Sequence, residues 1–241
     1  MKAVRIGCSG WSYDDWKGGF YPGDLARSRW LEHYGSVFDT VEVNATFYRL
    51  QRRSTFEKWA EQSPSEFSFA IKASRYLTHI RRLGDTGRGL DRFWDPVEPL
   101  REAGKLGPVL WQLPANFHRD AEALAGLLAA LPRAAHCFEF RDPSWFEDEV
   151  FDLLRDHGST AVLAHDVRRP LPDFTPLPGP LYVRFHYGER GHRGNYSDSE
   201  IREWARRIAG WRSRHEVFAY FNNDWEGFAP ANALELRRHL S

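Results

Sequence analysis

Charged and amide side chains recur in this chain at alternate positions of short apolar runs, a spacing that places them on one face of an extended strand. In the run 40–47, Val41, Val43 and Ala45 share one face and leave Glu42, Asn44 and Thr46 on the other. The same split sets Lys72 against Phe69 and Ile71, Glu139 and Arg141 against Phe138 and Phe140, and Arg184 and His186 against Val183 and Phe185. Gln112 and Asn222 fall near the ends of two further runs. Glu42 and Glu139, arriving from opposite sides of a closed sheet, could serve as general acid and general base about one bond, with His186 as a third catalytic group titrating near neutrality. Lys72, Arg141 and Arg184 outnumber these carboxylates, so a phosphate or carboxylate is the expected handle on a small anionic ligand. The bland alternative is that interior Glu and Arg residues only neutralise one another.

Positioning such residues requires strands that converge, and the chain supplies eight candidate runs: 4–9, 40–47, 67–74, 108–113, 136–141, 160–166, 181–187 and 217–222. Helix-period stretches separate them, which is the pattern of a parallel sheet wound with helices. Ser54 with Glu57, Ser144 with Glu147 and Ser197 with Glu200 have the spacing of helix-opening capping boxes. Ile201, Trp204, Ala205 and Ile208 form one apolar stripe, as do Ala229, Ala233, Leu236 and Leu240. Prolines at 170, 172, 176, 178 and 180 leave no room for a helix between the sixth and seventh runs. The expected fold is α/β: a TIM-like (β/α)8 barrel, a single domain over 1–241, with the sixth helix replaced by a proline-rich loop. Because the apolar face of each strand must meet the helices, the polar face must look into the barrel, and in this architecture binding and catalytic residues gather at the C-terminal strand ends.

Other residues join the candidate site on weaker grounds. His165 shares its run with Asp166, and the phase admits either one pointing inward. His79 follows the third run, and Trp11 and Tyr13 follow the first, where aromatic rings could stack on a nucleobase or sugar or merely pack the loops. No resident cofactor is expected. Glu42, Glu139 and His186 could ligate a divalent metal, but the interleaved cations would compete for the carboxylates. A Schiff base at Lys72 needs a depressed pKa, which nearby glutamates oppose. No Gly-x-Gly-x-x-Gly or Gly-x-x-x-x-Gly-Lys segment follows a run. The leading expectation is a hydrolase or lyase acting on a phosphorylated, nucleotide-like or sugar-like substrate. The competing class is a protein that binds nucleic acid or a small anion without turnover, since Arg49, Arg52, Arg53, Arg81 and Arg82 fall at the same end as the pocket.

Composition narrows the setting. The 241 residues are 42% hydrophobic and 27% charged, a soluble globular balance, and 33 basic residues offset 33 acidic ones. Zero net charge disfavours an anionic membrane as partner and leaves only local basic pockets. Charge at Arg5 and the early Gly7 interrupt any signal-peptide apolar region, and Cys8 and Cys137 lack a pairing or metal-binding spacing, so a reducing cytoplasmic location is expected.

Several segments, taken together, resemble the YecE-like family, domain of unknown function 72. They are Gly7-Cys8-Ser9-Gly10-Trp11-Ser12-Tyr13, Val41-Glu42-Val43-Asn44-Ala45-Thr46-Phe47-Tyr48, Lys72 with Thr78-His79, Gln112-Leu113-Pro114, and Tyr220-Phe221-Asn222-Asn223 with Asn232-Ala233. The resemblance runs from about residue 4 to residue 233 and implies a TIM-barrel-like fold. It carries no settled activity and therefore no catalytic roles. This chain departs from the family pattern at Cys8, where a small hydroxyl residue is expected, and at Gln51, where a proline usually stands. By alternation Cys8 faces the helices as a buried thiol.

Overall fold

Alternation of the kind described above folds into eight parallel strands whose apolar face is covered by helices. The computed structural model describes every residue except Leu171 and Asp173 and, among the rest, every side chain except that of Trp225. The strands are β1 (Val4–Cys8), β2 (Thr40–Val43), β3 (Ser68–Lys72), β4 (Leu106–Gln112), β5 (His136–Glu139), β6 (Thr160–Asp166), β7 (Leu181–Tyr187) and β8 (Val217–Phe221). The helices are α1 (Trp30–Val37), α2 (Ala45–Tyr48), α3 (Arg53–Gln62), α4 (Arg88–Trp94), α5 (Glu98–Glu102), α6 (Ala121–Ala130), α7 (Asp148–Asp156), α8 (Asp198–Trp211) and α9 (Phe228–Leu240). Among the described residues of 168–180 there is no helix, as the prolines require.

The hydrogen-bonded order is β1-β8-β7-β6-β5-β4-β3-β2, so β1 and β2 are the ends of the sheet and the barrel is nearly closed. A side chain spans the remaining gap. The Tyr34 hydroxyl on α1 accepts from the Cys8 amide at 2.8 Å and donates to the Thr40 carbonyl at 3.0 Å. Gly7 lets the two strands approach, since a Cβ there would fall 2.2 Å from the Thr40 carbonyl oxygen.

The outer core follows the predicted phase. Val41, Val43, Phe69, Ile71, Val183 and Phe185 are buried against the helical layer. On α8, Ile201, Trp204, Ala205 and Ile208 are all buried, and full burial of each large one stabilises by about 1.5–3 kcal/mol. Ser197 and Glu200 form the capping box that starts this helix. The other two boxes do not form. Helix α3 begins two residues early, at Arg53, so Ser54 lies inside it. Ser144 is itself capped, its amide donating to Asp142 in a 3-10 turn, and α7 starts four residues later. The second run is also shorter than expected, because the chain turns helical at Ala45, leaving Asn44 at the head of α2.

Inside the barrel the layers differ. The lower one holds Leu110, Cys137, Val162, Tyr182, Phe218 and Tyr220. Above it, toward the C-terminal strand ends, lie Glu42, Lys72, Glu139 and Arg184, none more than 8% exposed.

Candidate functional site

Arg184 organises the upper layer. Its Nε and Nη2 donate to the two oxygens of Glu42 at 2.8 and 2.7 Å, and its Nη1 donates to Glu139 Oε2. The Tyr182 hydroxyl, from one step lower on β7, also donates to Glu42 at 2.7 Å. Such a two-pronged guanidinium contact fixes geometry as well as charge. Arg141 pairs with Glu139 Oε1 across β5, although that oxygen has no aligned hydrogen bond.

Burial pushes both carboxyls toward protonation, but Arg184 outweighs it, by charge and hydrogen bonds at Glu42 and together with Arg141 at Glu139. Glu42 is therefore lowered and Glu139 lies well below the usual carboxylate range. Both are ionised near neutrality, and Arg184 sits between them where a scissile bond would have to go.

His186 stands over this layer with Nε2 3.0 Å from Arg141 Nη2 and 3.4 Å from Arg184 Nη1. Nε2 is also 3.4 Å from Glu139 Oε1, so guanidinium donors and a carboxylate acceptor face the same ring nitrogen. Nδ1 lies 3.1 Å from the side-chain amide nitrogen of Asn222. Burial, and next the charge of Arg184, lower the imidazole's pKa, which keeps it neutral at pH 7.

Lys72 is different. It is 8% exposed, yet its ammonium has no carboxylate or hydrogen-bond partner among the described residues; it lies 4.2 Å from the centre of the Phe47 ring. Burial depresses its pKa, Arg184 and Arg141 add to that, and the opposing pull of Glu42 and Glu139 is too small, so it falls to about 8. The sequence expectation that the glutamates would raise it has the right sign for those two groups and the wrong net result.

The remaining candidates divide. Asn44 reaches the Ser9 carbonyl at 3.4 Å and leaves its own carbonyl oxygen without a partner. Gln112 is half-buried at the end of β4, bonded to the Leu113 carbonyl. Tyr13 donates to the Ser9 carbonyl at 2.6 Å, and burial together with the nearby Asp224 and Glu42 charges raises its pKa. His79 lies edge-on to Phe47 at 4.9 Å between ring centres, and burial plus the Lys72 charge lower it to about 4. These four line the rim around Lys72 and Glu42.

Trp11 and His165 do not join them. The Trp11 ring packs edge-on against Trp59 of α3 at 5.1 Å, on the helical side of the barrel. His165 also faces the helices, 2.9 Å from the Tyr196 hydroxyl and edge-on to Trp204 of α8, because Val162 points into the barrel and alternation from it puts His165, opposite Phe185, on the outer face.

Unmatched polar atoms gather at this mouth. Asn44 Oδ1, Glu139 Oε1 and Arg141 Nε are buried without hydrogen-bond partners, and Ser9 Oγ lies beside Glu42 without an aligned bond. Buried polar groups are ordinarily paired, so a cluster of exceptions in one place calls for an external partner. Strand alternation offers no sign of Asp224, in the loop after β8. It is half-buried, takes a 2.6 Å hydrogen bond from the Trp16 indole, and burial raises its pKa to about 7. The donor set for a metal is not at the mouth. Among the described residues the group with suitable mutual distances is Asp198, Glu235 and His239, on the outer surface of α8 and α9, where Arg202 and Arg238 already pair with two of its members.

No helix of the described residues is long and apolar enough to cross a membrane. A family model described as a protein of unknown function, DUF72, matches residues 5–241. The UPF0759 protein YunF of Bacillus subtilis is 26% identical over 268 residues, covering 97% of this chain and 93% of that protein. The UPF0759 protein YecE of Escherichia coli is 30% identical over 145 residues, 59% of this chain and 50% of that one. Among solved structures, a DUF72 family protein from Thermotoga maritima superposes with a TM-score of 0.87 at 30% identity, covering 99% of each chain.

Proposed function

Since the chain belongs to the DUF72 family, whose description assigns no activity, its function has to come from the barrel mouth, and we propose that this mouth binds a small anionic group and carries out hydrolysis or elimination on the molecule bearing it. One observation carries the reading: the buried Lys72 ammonium has no counter-charge of its own. Glu42 and Glu139 are matched by Arg184 and Arg141, and neutral His186 adds nothing, so the layer holds one excess positive charge. A phosphate or carboxylate seated against Lys72 and the free edge of Arg141 supplies the missing partner.

The chemistry then falls to different residues from those the sequence favoured. Glu42 and Glu139 hold Arg184 rigidly and are locked as anions, which suits positioning better than proton transfer. Lys72, charged while it holds the anion, can give a proton to a leaving group. His186 is close enough to the same layer to assist. Two free, buried cysteines support a cytoplasmic setting.

The test is thermal. Phosphate or sulfate at tens of millimolar, roughly the range that detects weak binding, should raise the melting temperature by mass action. Lys72→Met should remove that response. A wild type indifferent to both anions, or a variant that responds like it, overturns the reading.

A further inference from the structure

Beside the mouth, the loops after β2 and β3 expose apolar side chains that the fold does not need. Tyr48 is 79% exposed and Ile80 64%, with Tyr76 also on the surface. Tyr48 ends α2, while Tyr76 and Ile80 belong to a five-residue π-helical turn, Tyr76–Ile80, that also carries His79. The two loops meet through Phe47, whose ring touches Lys72, His79 and Tyr48 at 4.2, 4.9 and 5.0 Å. The open face of Tyr48 thus lies one aromatic ring away from the unpartnered ammonium.

Charge surrounds this patch asymmetrically. Arg49, Arg52 and Arg75 are exposed and make no ion pair among the described residues. Arg53 is occupied by Glu57 and Glu102, and Arg82 lies over Phe117. The acidic neighbour is Asp85, which accepts from the Tyr76 hydroxyl at 3.0 Å and faces Arg81. The stronger platform is therefore Tyr48, followed directly by Arg49 and close in sequence to Arg52, while Arg75 lies near His79.

We infer that this surface binds single-stranded nucleic acid, one phosphate entering the mouth at Lys72 while a neighbouring base stacks on Tyr48 and further phosphates meet the arginines. The inference rests on the anion-binding reading above and names the class of molecule that brings the anion. An exposed ring beside free guanidinium groups fits a chain with alternating flat bases and charges. Three unpaired arginines in addition to Lys72 offer more cations than one phosphate can use, which favours an oligomer over a mononucleotide.

The experiment is fluorescence anisotropy with labelled oligothymidylate, single-stranded and as a duplex with oligoadenylate, over a range of salt, alongside the phosphate melting shift on the same proteins. Single strands should bind at low salt and weaken steadily as salt rises, with a shallower salt slope for Arg52→Ala. Tyr48→Ala, at an exposed position, should weaken binding roughly 5- to 100-fold and keep the phosphate melting shift of the wild type. If no oligomer binds while phosphate still stabilises the protein, this inference fails and the anion pocket stands. If phosphate also has no effect, both fail. Equal affinity of wild type and Tyr48→Ala, or a duplex bound as tightly as the single strand, overturns the stacking platform.

Discussion

The two ends of the barrel hold opposite things. At the N-terminal end a cavity of about 660 Å3 opens among Arg5, Arg101, Arg133 and Glu216, and its charges stay in contact with water. Arg5, for example, reaches Asp39 at 3.8 Å and Glu216 at 3.5 Å, with both acids more than 40% exposed. At the C-terminal end Glu42, Glu139 and Arg184 are almost wholly buried and pair with one another. Room lies at one end and desolvated charge at the other. A pair of charges near 4 Å is worth only about 1 kcal/mol in water and several times that out of it, so the end with the buried charges has more binding energy to offer.

Glu42→Gln strikes that contrast hardest. It removes one of two anions compensating a buried guanidinium, and a loss of about 3–5 kcal/mol in denaturant or thermal unfolding is expected. A loss under about 1 kcal/mol would make the upper layer no different from an exposed ion pair.

Lys72 sharpens the contrast through pH. Its folded pKa of about 8 lies below the ordinary 10.5, so between those values the folded chain has released a proton that the unfolded chain still holds. Stability therefore rises with pH across that window, by about 3 kcal/mol in total, and the charged form carries the full penalty below pH 8. Lys72→Met should flatten the profile from 8 to 10.5 and stabilise the anion-free protein at pH 7. Matching profiles for the two proteins in a pH series of melts would show that the ammonium is not strained by burial.

The smallest effect belongs to the other end. Arg5→Ala breaks two partly exposed pairs and should cost less than about 1 kcal/mol, diminishing further in high salt. A larger, salt-insensitive loss measured by the same melts would erase the distinction between the ends.

Strand phase was legible in the sequence because it repeats every two residues, and Glu42, Lys72, Glu139, Arg184 and His186 all followed from it. What was hidden is local. The one-turn helix α2 preserves enough apolar alternation to resemble a continued strand, which concealed the exposure of Tyr48. The phase of β6 was open in the sequence, and the inward turn of Val162 is what put His165 on the outer face. Loop residues have no period at all, so Trp11 could not be placed and Asp224 went unnoticed. The pairing of Arg184 with both glutamates was also beyond reach, since alternation says which face a residue occupies and not whom it meets there.

Tyr34 gives the ring of strands a joint. Around the rest of the circumference, widening the rim would break rows of amide–carbonyl bonds; between β1 and β2 one phenol has only to let go of two partners. Ser9 follows directly on β1 at this joint, and its carbonyl takes hydrogen bonds from both Tyr13 and Asn44. A ligand that reaches Tyr13 or Asn44 would thus touch side chains tied directly to the one place where the ring of strands is joined by side chains rather than by backbone.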